Sequence, residues 1–119
     1  MGTVVVLGAS PNPERFSYKA VSFLLHRHYP VVAIGNREGQ IGNVTILTGK
    51  PEIPNVHTVL IYIGAASQPE IVDYVIAMRP KRVIFNPGTE SPEFEQLLES
   101  YNIQVVRACS LVLIGTGRF

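Results

Sequence analysis

Apolar residues come in short, β-branched runs separated by longer stretches with helical spacing. Residues 3–7, 31–34, 59–63, 82–85 and 104–106 read as strands, dense enough in Val and Ile for a sheet buried on both faces. Residues 17–28 place Ala20, Val21, Phe23, Leu24 and Leu25 on one broad helical face. Residues 68–78 do the same with Ile71, Val72, Val75 and Ile76, and residues 92–101 with Phe94, Leu97 and Leu98. Strand and helix alternate, which with right-handed crossovers predicts an α/β, Rossmann-like, doubly wound and mainly parallel sheet with helices on both faces. Residues 35–56 break the alternation. They are rich in Gly, Asn and Pro, and read as a loop with one short edge strand at 44–47. The tail "CSLVLIGTGRF" reads as a further edge strand or part of a homodimer contact.

The 119 residues suit one domain, able to bury roughly two-thirds of its unfolded surface. Basic and acidic residues nearly balance at a net charge of +1 and are scattered, a pattern that argues against nucleic-acid and membrane surfaces as partners. An anionic ligand must therefore be met locally. The single cysteine, Cys109, reads as a small buried hydrophobe and leaves no intrachain disulfide framework. With no leader pattern or membrane-length apolar run, a cytoplasmic location is expected.

Doubly wound sheets bind ligands beyond the carboxyl ends of their strands. Those ends here are Gly8-Ala9-Ser10, Gly35-Asn36-Arg37, Gly64-Ala65-Ala66-Ser67 and Asn86-Pro87-Gly88-Thr89, all small, polar or glycine. Gly8 supplies a tight turn. Ser10 stands where a dinucleotide fingerprint has its second glycine, and its hydroxyl can meet a phosphate or cap the turn. Ser17 reads as a start of the first helix, whose free N–H groups favour an anion. Pro11 and Pro13 remove donors from the loop through Asn12, so Arg15 is the fork-shaped donor at hand. An NAD site usually has an acid after the second strand; Gly35 and Asn36 stand there, followed by Arg37, which suits a ribose phosphate of coenzyme A or NADP or else faces solvent. Lys50 reads the same way. The histidines, two at a helix end and His57 in a loop, read as non-ligands, and the carboxylates around the last helix as partners of its dipole.

The run "VLGASPNPERFSYKAVSFLLHRHYPVVAIG" resembles the opening of the small CoA-binding proteins, relatives of the N-terminal domain of the succinyl-CoA synthetase α-subunit. "GASPNPERFSY" is similar to that family's phosphate turn, "AIGN" to the segment ending its second strand, and "VIFNPGTES" to its Trp-x-Gln-x-Gly segment. The resemblance implies that Gly8, Ala9, Ser10, Asn12, Arg15 and Ser17 hold a CoA or acyl-CoA diphosphate. It implies Asn36 and Arg37 near the adenosine ribose, with Gly64, Asn86 and Gly88 bordering the adenine or pantetheine. Asn86 stands for the family's glutamine, Ile84 for its tryptophan, and Arg107-Ala108-Cys109 for its Asp-Arg-Cys. The expected function is non-catalytic binding of this nucleotide-type ligand. The alternatives are an NADP- or other nucleotide-dependent enzyme, or a regulatory module that has lost its ligand.

Overall fold

Strand β1 (Thr3–Ala9) shows how the sheet becomes buried on both sides. Val4 and Val6 join one core cluster and Val5 and Leu7 the other, so the two-residue period of a strand feeds both faces from one apolar run. The computed structural model describes residues 2–119. After β1 come α1 (Phe16–His26), β2 (Val31–Gly35), β3 (Gly39–Ile41), β4 (Val44–Leu47) and β5 (Val56–Ile61). A 3-10 helix (Ala65–Glu70), α2 (Val72–Met78), β6 (Arg82–Phe85), α3 (Pro92–Ser100), β7 (Gln104–Arg107) and α4 (Ser110–Gly115) complete the order.

Among the described residues the sheet runs β3-β4-β2-β1-β5-β6-β7, parallel except for the antiparallel β3–β4 pair. The chain winds outward from β1 through β2, then returns to place β5 on β1's other side, making β1 the switch point of the sheet. Helices α1 and α4 cover one face through Ala20, Val21, Leu24 and Ile114; α2 and α3 cover the other through Val75, Phe94 and Leu98. The expected Rossmann-like α/β class is the observed one.

Several local expectations are corrected. The tail is no strand: residues 110–115 form α4, because Ile114 and the residues around it find an apolar seat beside α1 that an edge strand would leave in water. Residues 35–56 hold two strands, and β4 is internal, paired with β2 on one side and β3 on the other. Pro69 splits the expected second helix into a 3-10 turn and α2. His57 lies within β5 rather than in a loop. Phe23 is 44% exposed and Leu97 39% exposed, so both apolar helical faces are narrower than their sequences suggested. Cys109 is half-buried rather than buried.

Candidate functional site

An open cleft of about 1050 Å³ lies over the carboxyl ends of β1, β2, β4, β5 and β6, where a doubly wound sheet places its ligand. Its floor near the switch point is the turn after Leu7. Gly8 has φ +92°, a backbone that favours glycine, and a β-carbon there would come within 2.7 Å of the Tyr62 carbonyl oxygen. The next residues fold by local polar chemistry: Ser10 Oγ accepts from the Asn12 N–H at 3.1 Å, and Asn12 Oδ1 from the Glu14 N–H at 3.0 Å. Pro11 packs on Gly39, so the β3–β4 hairpin props this loop from below.

Gly8, Ala9, Ser10, Arg15, Ser17, Asn36, Arg37, Gly64 and Gly88, all expected at the site from sequence, line the cleft. Asn12 and Asn86 do not. Asn12 points into its own turn. Asn86, 3% exposed, spends both ends of its amide inside the protein. Its Nδ2 donates to the Ile61 carbonyl at 3.1 Å, and its Oδ1 accepts the Ser110 N–H at 2.8 Å, joining β5, β6 and α4. Replacing Asn86 by alanine should cost about 2–3 kcal/mol by leaving a buried N–H and carbonyl unpaired, read as a lowered urea midpoint. A midpoint unchanged from wild type would remove this account of the residue. Ser17 also departs from expectation in its local role. It is buried in the first turn of α1, whose N-cap is Arg15 with no side-chain capping bond.

The wall over β5 and β6 was less visible in the sequence. Gln68, 1% exposed, donates from Nε2 to the carbonyls of Ile63 at 2.8 Å and Thr89 at 2.6 Å, tying together the two loops that form this wall. Thr89 Oγ1 donates to the Asn86 carbonyl. Tyr62 reaches from the cleft toward Ser110, and burial is the main reason its phenol pKa is raised to about 12, which the neighbouring Ser110 hydroxyl partly opposes. The two hydroxyls stop short of hydrogen-bond geometry, and both are buried without a partner among the described residues. A helix-spaced apolar pattern gives no sign of such clamps, since Gln68 reads there as one more polar position.

Charge divides the cleft. Arg15, Arg37 and Lys50 come from the segments after β1, β2 and β4, whereas the one carboxylate among its described lining residues, Glu70, comes from the segment after β5 with Ile71 and Tyr74, and the Tyr74 hydroxyl donates to the Pro51 carbonyl next to Lys50. Among the described residues no histidine or cysteine lines it, and no cluster of three or more His, Cys, Asp or Glu could hold a metal. None of the described helices is long and apolar enough to cross a membrane. On α3, Glu95 is occupied in the helix's own structure: it accepts the Ser91 N–H at 2.9 Å and pairs with Arg107 Nε at 2.8 Å. That pair, with Arg107 half-exposed, carries little energy.

A parallel doubly wound sheet with a ligand cleft at its switch point defines a Rossmann-like binding domain. The model of the CoA binding domain family matches residues 2–115, and the chain belongs to that family. The crystal structure of an uncharacterized protein is similar over 100% of this chain and 98% of its own, at 36% identity and a TM-score of 0.96. A structure from Thermus thermophilus shares 23% identity over 99% of this chain and 90% of its own, with a TM-score of 0.86. A conserved hypothetical protein from Pyrococcus furiosus shares 18% identity over 90% and 93%, with a TM-score of 0.77. These last two likenesses concern the fold. No curated protein matches the sequence.

Proposed function

We propose that the protein binds coenzyme A or an acyl-CoA without turning it over, holding the diphosphate on the Gly8-Ala9-Ser10 turn at the start of α1. The observation that carries this reading is the union, in one cleft, of a glycine turn leading toward the start of α1 with an acid-free end of β2 that is followed by Arg37. Free amides of the turn and the first turn of α1, with Arg15 beside them, favour a diphosphate. Asn36 and Arg37 stand on the adenosine side. The opposite side offers Ile63, Ile71 and Tyr74 to an uncharged arm such as pantetheine. Room for that arm is supported by Gly64, where an added β-carbon meets nothing within 4 Å. The family match supports CoA over other nucleotides.

The test is thermal unfolding with CoA, acetyl-CoA and NADP in parallel. CoA at about 100 times its dissociation constant should stabilise the fold by roughly 2.7 kcal/mol, raising the melting temperature by roughly ten degrees. A larger shift with NADP than with CoA would favour a nicotinamide-dependent enzyme, and no shift with any of them would favour a module without a ligand.

A further inference from the structure

The amino ends of the strands, at the opposite end of the sheet from the cleft, border a smaller cavity of about 230 Å³. Its floor follows from strand register. Val4 of β1 is paired with Thr58 of β5, and Thr58 with Arg82 of β6, so the three side chains stand in one row on one face of the sheet. Arg82 is half-buried, and its guanidinium is held on two sides. Nε donates to Thr58 Oγ1 at 2.9 Å, and the Phe119 ring covers the flat face, with Cζ 4.6 Å from the ring centroid. Tyr29 meets Phe119 edge-on at 5.3 Å and fixes that ring in turn. The terminal nitrogens of Arg82 have no hydrogen-bond partner among the described residues, where the one ion pair joins Arg107 to Glu95. The cavity is also one-signed. His57 stands at its rim with Nδ1 2.8 Å from Thr58 Oγ1, and no Asp or Glu lines it among the described residues. Thr58 is fully buried and already accepts from Arg82, so its hydroxyl hydrogen goes to Nδ1 and the imidazole hydrogen to Nε2. Burial, with Arg82 and Lys81 nearby, holds His57 below its ordinary pKa, the mark of a positive field that the protein leaves unneutralised.

We infer that this cavity is a second binding site, for a small organic monocarboxylate with a short apolar body. The free edge of the Arg82 guanidinium presents parallel N–H donors, the geometry that takes both oxygens of a carboxylate. The other walls are apolar, formed by Val4 and the rings of Tyr29 and Phe119. They suit a hydrocarbon body, whereas the further oxygens of a phosphate would face them without donors, at a desolvation cost. Size narrows the choice as well. With about 30 Å³ for each water in the liquid, the cavity takes a molecule of roughly six to eight heavy atoms, far short of a nucleotide. The site is therefore separate from the CoA cleft and stands whether or not that cleft binds CoA.

Isobutyrate is the probe, titrated into the isotope-labelled full chain at constant ionic strength and followed by amide NMR shifts. The signals of Thr58, Arg82 and Phe119 should move along one saturable curve with a dissociation constant of about 1 mM, and those of Gly8 and Ser10 should stay still. Isobutyramide has the same shape without the charge and should bind about tenfold to a hundredfold more weakly. Inorganic phosphate should bind more weakly than isobutyrate. Arg82→Gln should abolish the response, and Arg82→Lys, which keeps the charge and loses the fork, should restore only a small part of it. Should Arg82→Gln fail to fold, the wild-type comparison of acid with amide decides alone. Shifts centred on Gly8 and Ser10, a linear response without saturation, equal binding of acid and amide, tighter binding of phosphate, or full binding by Arg82→Gln would each overturn the site, and none of them touches the CoA reading.

Discussion

Gly35→Ala is expected to destabilise the protein by about 3–5 kcal/mol, lowering its melting temperature by roughly 10–20 °C. The cause is a single close approach. A β-carbon at Gly35 would lie 2.1 Å from the Ala9 carbonyl oxygen and 3.1 Å from its carbon, and Ala9 is the residue paired with Gly35 where the β1–β2 register shifts. Neither atom belongs to a flexible side chain, so relief requires the end of β1 or of β2 to move. Both ends are pinned: Tyr62 N–H bonds the Leu7 carbonyl at 2.9 Å, and Ile34 is buried in the core beside them. Because Ala9 is also part of the cleft's floor, the backbone that yields is the backbone that would meet the diphosphate. Loss of stability should therefore come with loss of CoA binding, even at temperatures where the variant is still folded. Urea unfolding of the variant within about 0.5 kcal/mol of wild type would show that the strands separate freely there, and would sink the argument.

That contact bears on how far the sequence speaks. Alternating runs around 3–7, 31–34 and 82–85 reveal β1, β2 and β6, because a strand buried on both faces needs nothing but apolar residues. The same logic misreads residues 110–115. Six apolar and small residues have no length to display a helical period, and only the vacant seat next to α1 decides their state. The β3–β4 hairpin is hidden for a related reason: Gly39, Gln40 and Ile41 make a strand through pairing with β4, including Gln40 Nε2 donating to Thr45 Oγ1, and not through their own propensity. At the site, the turn after β1 is legible since Gly, Ser and Pro have local meanings. Gln68 and Asn86 are not. Their bonds run to Thr89, 21 residues on, and to Ser110, 24 residues on, so their roles exist only once the strand ends converge. Asn86 also shows that a residue in a matching motif segment can serve the fold behind a site while the neighbouring Gly88 faces the cleft.

Gly64→Leu should have the opposite signature to Gly35→Ala: an unchanged fold with CoA affinity reduced by about a hundredfold, roughly 2.7 kcal/mol. Gly64 has φ −62° and ψ 154°, an extended conformation open to any residue, and its added β-carbon meets nothing within 4 Å. Neither backbone geometry nor packing therefore calls for glycine at this position. Its surroundings do, if a ligand passes there: Gly64 lines the cleft between Ile63 and Ser67, at the end of the strand beside β1. A leucine side chain can only project into that space, where it would occupy the path of the uncharged arm and leave the diphosphate turn and Arg37 untouched. The loss should accordingly be large for CoA and acetyl-CoA and small for adenosine 3′,5′-bisphosphate, which lacks the arm, while the melting temperature without ligand stays within about 3 °C of wild type. Undiminished CoA binding by the leucine variant would place the arm elsewhere, and a loss equal for the arm-less nucleotide would mean that the substitution had disturbed the turn rather than blocked a path.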